Sequence, residues 1–518
     1  MSVIEHVFVL MLENRSFDHM LGFAGLRGTD ARTGEPTVVE GLTGSEWNAL
    51  PSGERITVSP GPDFILPIDP GHDFADVLEQ LCGHGTAYSG GPYPPIDLSG
   101  FASRLAAHIA RTRARVDASV AMRGFRPDQL PVLHALAREF AVCDHWFSSM
   151  PGPTWPNRLF VHGASSAGLD DSPTSLRSAT AIVHGYHFEH GTLYDRLDRA
   201  KVPWHIVEGD ALPQSLAMGG MIERAVEGRF IGLGELRERL GDPGFRDAYV
   251  FIEPSYGHVL ADGRNFKCGS SQHPLDDVTR GEKLIKDVYE AIRNSPHWPT
   301  SLLVVTYDEH GGFYDHVVPP KAVEPGDAFL DDANKHGFRF DQLGVRVPAV
   351  IVSPQVPRGL VDHTVYDHTS LVATVEHLFG LEPLTARDAA AARFDHLFAA
   401  PAPREDAPTA LPDPAVSGVH DCDEETWEQR LAGDLERMPE HLSSDLETTL
   451  IGFLHVAVAR EFHLAASLDR NVSGAIEREQ DRVLSAVTGV RTKFDAVKLL
   501  RDVERRYARH REVNGPPG

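Results

Sequence analysis

The sequence predicts an α/β fold: a mostly parallel sheet sandwiched between helices, with a helical C-terminal extension. Three observations carry this. Five short runs are apolar on nearly every residue: VFVLML at 7–12, VPWHIVE at 202–208, AYVFIE at 248–253, SLLVVTY at 301–307 and VPAVIVS at 347–353. That is the pattern of strands buried on both faces. Helical periodicity falls between them at 129–141, roughly 276–294 and 366–379, and strands alternating with helices build parallel sheets. Polar residues gather where strands end: Glu13 and Asn14, Glu208 and Asp210, Glu253, then Asp308 and Glu309. Chemistry in such sheets collects outside the carboxyl ends of the strands.

Composition narrows the function. The 518 residues are 42% hydrophobic, ample for a large core. A formal net charge of −25 argues against a nucleic-acid binder, which needs clustered Lys and Arg. An anionic substrate stays open, because a bound metal ion dominates the field of its site. The 27 histidines point to metal ligation or proton transfer, although most are assigned to the polar surface. Cys82, Cys143, Cys268 and Cys422 lie far apart. No zinc-finger spacing occurs, and disulfides are possible but not indicated. The apolar run from His6 to Leu12 is short and lacks a basic region before it. Neither a signal peptide nor a membrane span is expected, and the default location is cytoplasmic, with export by another route left open.

Residues 1–400 are expected to form the catalytic domain. Residues 401–420 are rich in Pro and Ala and read as a linker. Residues 421–518 read as a helical region of unknown role, in which 450–465 is apolar but carries His455, Arg460, Glu461 and His463. That suits a packed helix, not a membrane span. Turn-rich stretches at 23–70 and 83–100 are lid or substrate-loop candidates, with surface decoration an equal alternative.

Three motifs carry chemistry. In ENRSFDH, a carboxylate (Glu13) and an amide oxygen (Asn14) at a strand end offer hard ligands for a cation. Arg15 is a partner for phosphate or for Asp18. The bland alternative is that Glu13 and Asn14 cap the next helix. In MPGPTWPNR, three prolines within 151–156 stiffen the loop holding Thr154, just before a helix expected from about Asn157. A hydroxyl at a helix N-terminus beside a cation can act as a nucleophile, although a lone Thr there is more often a cap. In TYDEHGGFYDHVVPP, Asp308 and Glu309 would repel each other unless solvated or bound to a cation. His310, Asp315 and His316 follow in the same loop. His72, His205, His273, His363 and His368 are weaker candidates, each with a structural alternative.

Together and in this order, the motifs resemble the phosphoesterase family of bacterial phospholipases C, related acid phosphatases and plant non-specific phospholipases C. DPGHDF around His72, FIEP at 251–254, the His-Pro pair at 273–274 and VRVPAVIVSP at 345–354 add to the likeness, which spans roughly residues 3–385. The resemblance implies an alkaline phosphatase-like fold. It implies a divalent metal held by Glu13, Asn14, Thr154, Asp308 and Glu309, with Thr154 as nucleophile and His72 and His273 beside the phosphate. Oxygen ligands favour Ca²⁺, Mg²⁺ or Mn²⁺, with Zn²⁺ left open. Many members carry a second histidine where this chain has Asp276. The expected reaction is phospholipase C-type cleavage of a phosphodiester through a phosphothreonine, with phospholipid as the expected substrate. The first alternative is an acid phosphatase-type phosphomonoesterase. The alternative of another class is a catalytically silent metal- or phosphate-binding protein.

Overall fold

The computed structural model describes residues 4–172, 185–210, 213–257, 266–327, 333–400, 402–419 and 422. The helices expected over 423–518 lie outside the described residues. Among those described are fourteen strands. They are β1 (His6–Leu12), β2 (Arg27–Asp30), β3 (Pro36–Val38), β4 (Trp47–Ala49), β5 (Arg55–Thr57), β6 (Ser59–Pro60) and β7 (Arg123–Gly124), followed by β8 (Ala141–Cys143), β9 (Trp204–Glu208), β10 (Phe230–Gly232), β11 (Tyr249–Ile252), β12 (Ser301–Tyr307), β13 (Ala349–Val352) and β14 (Leu360–Asp362). Ten form one sheet in the order β10-β9-β11-β1-β12-β13-β8-β14-β2-β3. Its pairings are parallel except those of β13 and of β3 with their neighbours. All five apolar runs are strands, and the last of them, β13, runs against the rest.

Every residue of β1 and β12 is buried, so helices must cover both faces of the sheet. The helix Val278–Arg293 buries Val278, Glu282, Ile285, Val288, Tyr289 and Ile292, one face of a 3.6-residue period. Asp277 caps it by accepting from Thr279 N. Glu282 also accepts the N–H groups of Val132 and Leu133 at 2.7 and 2.9 Å. It thereby closes the first turn of the neighbouring helix Pro131–Glu139, which starts on a proline.

The Pro/Ala-rich segment runs along helix Val278–Arg293. Arg293 donates to Ala407 O, Tyr289 to Pro408 O and Lys286 to Leu411 O, and Ala407 and Leu411 are buried. Ser417 meets Asp277 at the start of that helix. Beyond it, Cys422 forms a disulfide with Cys268, while Cys82 and Cys143 are free. No helix among the described residues is long and apolar enough to cross a membrane.

Candidate active site

Strand register assembles the centre. β1 and β12 are parallel neighbours, with Leu12 opposite Tyr307. Glu13-Asn14 and Asp308-Glu309 therefore leave the sheet side by side. Asp308 N donates to Leu12 O, and Asn14 N donates to Asp308 Oδ1 at 2.9 Å. Arg15 N donates to Glu309 O at 2.9 Å, locking the two loops together. The approach is so close that a Cβ on Gly311 would lie 2.1 Å from Asn14 O, and Gly311 adopts φ +63°. Only glycine suits that position. Asn14 itself has φ 56°, a region Asn tolerates better than most residues.

Thr154 arrives from the loop after β8. Helix Thr154–Gly163 begins at Thr154 itself, three residues before the expected start. Pro156 lies in the first turn, where a missing N–H costs nothing. Asn157 staples the loop: its amide donates to Met150 O, Gly152 O and Pro153 O, and its oxygen accepts from Met150 N. Thr154 Oγ1 thus reaches Asn14 Oδ1 at 3.3 Å.

The acids are buried. Burial pushes the Glu13 carboxyl well up; Arg158 opposes this, while Asp308 and Glu309 reinforce it. Asp308 is pushed up to about 6, chiefly by burial, with Arg158 holding it down and Glu309 adding repulsion. Arg158 Nε lies 3.2 Å from Asp308 Oδ2 and 3.6 Å from Glu13 Oε1. One guanidinium therefore lies between two carboxylates. Glu13 Oε2 and Glu309 Oε1 are buried without a hydrogen-bond partner. Unpartnered carboxylate oxygens in an acid-rich, oxygen-lined corner fit a divalent cation.

The histidines stand on the same pocket, which is lined by Glu13, Asn14, Asp69, His72, Thr154, Trp155, Gln214, Phe266 and His273 among others. His72 Nε2 lies 3.3 Å from Asn14 Nδ2, and its Nδ1 donates to Pro70 O. Burial opposes its protonation, but Glu309 and Asp69 outweigh that and push it up to about 10. A cation sharing the Glu309 charge would weaken that pull. Asp69 stands between the two rings, 3.7 Å from His72 Nδ1 and 3.4 Å from His273 Nε2. Phe266 stacks on the His273 ring at 3.6 Å between centroids.

The structure brings together Glu13, Asn14, Thr154, Asp308, Glu309, His72 and His273. It separates other residues of the same motifs. Arg15 neither pairs with Asp18 nor lines the pocket. Its Nε donates to Gln272 O and its Nη2 to His273 O, so it braces the loop carrying His273. Asp18 pairs with Arg346 instead. Glu253 accepts from Gln214 N and Ser215 N, and Asp210 from Ser255 Oγ; both tie loops. Sequence reasoning missed Asp69, Arg158 and Gln214, whose Nε2 meets Glu13 Oε1 at 3.5 Å. Arg158 sits inside a recognised motif and Asp69 three residues before His72, so both were within reach. Gln214 carries no local signal.

The chain is similar to known proteins over most of its length. The Phosphoesterase family matches residues 4–228 and 248–382. The chain is 35% identical over 456 residues to Non-specific phospholipase C6 of Arabidopsis thaliana, covering 86% of this chain and 82% of that one. It is 36% identical to Non-specific phospholipase C3 of the same plant (80% and 76% covered), and 30% identical to Phospholipase C B of Mycobacterium tuberculosis (73% and 74%). A solved protein in the alkaline phosphatase superfamily from Vibrio parahaemolyticus superposes with a TM-score of 0.29 at 15% identity, covering 51% of this chain and 65% of that one. The chain belongs to the Phosphoesterase family and is a phosphoric ester hydrolase.

Proposed function

We propose that this hydrolase is a phospholipase C-type phosphodiesterase with Thr154 as its covalent nucleophile. The observation that carries the reading is the meeting of the Thr154 hydroxyl, the Asn14 amide and the Glu13 carboxylate on one pocket wall, with an unpartnered oxygen on Glu13 and another on Glu309 at the neighbouring strand end. The relatives named phospholipase C favour a diester substrate. Glu13, Asn14, Thr154, Asp308 and Glu309 would hold a divalent cation. Bound there, it would screen phosphate charge and lower the pKa of the Thr154 hydroxyl, whose proton would pass to solvent.

Thr154 Oγ1 then forms a bond to phosphorus as the bond to the leaving alcohol breaks. His72 or His273 gives a proton to the leaving oxygen. Water attacks the phosphothreonine, the same imidazole takes a proton from it, and the P–Oγ1 bond breaks. The products are a free alcohol and a phosphomonoester. Asn157 and the proline-rich loop keep Oγ1 in place, which is most of what phosphoryl transfer asks of a protein.

The test combines two variants with a trap. Thr154→Ala should lower kcat/KM by at least about 10³-fold, while Thr154→Ser should keep measurable turnover. Acid quenching with labelled substrate should trap label on Thr154 in the native chain alone of the native and Ala forms. EDTA should abolish turnover, and Ca²⁺, Mg²⁺ or Mn²⁺ should restore it. Undiminished turnover by Thr154→Ala removes the nucleophile assignment. Rates on a nitrophenyl phosphate, a nitrophenyl phosphocholine and a phospholipid separate diester from monoester preference.

A further inference from the structure

We propose that Asp144, His145 and His363 form a second metal site, for Zn²⁺, away from the catalytic pocket. β8 and β14 are parallel neighbours with Cys143 opposite Asp362, so Asp144-His145 and His363 leave the sheet together. The three residues offer one ligand atom each, all within 4.8 Å of one another. His145 Nδ1 and His363 Nδ1 stand 3.1 and 2.9 Å from the same oxygen, Asp144 Oδ1. Ligands held ~2.0–2.1 Å from a tetrahedral zinc ion are themselves ~3.3 Å apart, so this spacing needs little adjustment. None of the three lines the Thr154 pocket.

The surroundings are built as metal ligands require. A ligating histidine is oriented by a carboxylate or hydroxyl on its far ring nitrogen. His145 Nε2 lies 3.2 Å from Glu40 Oε2. His363 Nε2 lies 2.9 Å from Thr37 Oγ1 and 3.8 Å from Asp30 Oδ2. The remaining oxygen of Asp144 accepts from Glu40 N at 2.8 Å. Without an ion, both rings must direct Nδ1–H at one oxygen. A single dication at the shared point satisfies all three groups and leaves each far nitrogen its partner. The His145 and His363 side chains are 19% and 30% exposed, so the ion can enter from solvent and water can complete its coordination.

A neighbouring group of ligand type, Asp18, Asp315 and His316, differs in the deciding respect. Arg346 already supplies its cation, with Nε 2.8 Å from Asp315 and Nη2 3.1 Å from Asp18. It needs no metal. At Asp144 the ion would tie the β2–β3 hairpin, through Thr37 and Glu40, to the strand that leads into the Thr154 loop.

The test uses the full chain carrying Glu13→Gln and Asp308→Asn, so that catalytic-site binding is removed. After chelation and dialysis, this protein should bind one Zn²⁺ per chain by calorimetry and elemental analysis, and zinc should raise its Tm. Adding His145→Gln and His363→Gln should abolish both effects while leaving the metal-free Tm unchanged. Retention of the zinc with both histidines replaced, or no zinc bound before they are replaced, overturns the site. Should that variant fail to fold, Glu40→Gln at a half-exposed position decides. It should weaken zinc about 10-fold or more, and unchanged affinity overturns the proposal.

Discussion

The same two loops, 13–19 and 308–316, carry two buried acid clusters of opposite character. At the far ends of the loops, Asp18 and Asp315 are saturated. Arg346 bridges them, His316 meets Asp18 at 2.6 Å, and the backbone N–H groups of His316 and Val317 supply further bonds. At the strand ends, Glu13 and Asp308 share a single guanidinium, and Glu13 and the adjacent Glu309 each keep one oxygen without a partner. A buried carboxylate must be paired, protonated or bound to a metal. One cluster is closed by an internal cation and acts as a brace. The other faces a pocket and is completed only from outside. Asp276 shows the third solution: burial, which Asp277 N and Arg280 only partly oppose, pushes it up to about 8, so it keeps its proton.

The largest effect should come from breaking the open cluster. Glu13→Gln should lower kcat/KM by at least about 10³-fold. It should leave the metal-free chain as stable as the native one or more so, because a like-charge contact is relieved. Steady-state kinetics and urea unfolding in EDTA, read together, check this. Activity within tenfold of native would dissolve the contrast. Breaking the closed cluster should do the reverse. Arg346→Met leaves Asp18 and Asp315 uncompensated and should cost about 3–5 kcal/mol of unfolding free energy, measured by denaturation.

The smallest effect sharpens the third solution. The native Asp276 carboxyl titrates near 8, whereas the unfolded one titrates at about 3.9. Between those values the folded chain binds more protons, so stability falls as pH rises. From about pH 6 to about pH 7.5 this one group should cost about 2 kcal/mol. Asp276→Asn should flatten that decline, and parallel curves for the two proteins would refute it.

Much of this was legible in the sequence, for physical reasons. β1 and β12 are buried on both faces, so an unbroken apolar run could mean little else. Glu13 and Asp308 were readable as site residues because charge at the end of such a run needs a reason. The reversed direction of β13 was not readable, since apolar pattern carries no direction. The role of Arg15 was misjudged because its partners, the carbonyls of Gln272 and His273, lie more than 250 residues away. Asp315 and His316 looked like ligand types within their loop, and Asp18 like a partner for Arg15. Only Arg346, outside both motifs, reveals them as a brace. The first residue of helix Thr154–Gly163 was displaced by prolines that mark a boundary without saying which side of it is helical.

The Cys268–Cys422 bond has a practical consequence for any assay. Cys268 is two residues from Phe266, whose ring covers His273, so the bond moors Cys422 beside the rim of the pocket. Such a mooring persists where the surroundings oxidise thiols and is lost where they reduce them. Enzyme handled with dithiothreitol and enzyme handled without it are therefore two preparations with differently tethered rims, and their rates on bulky substrates should be compared before either is taken as native.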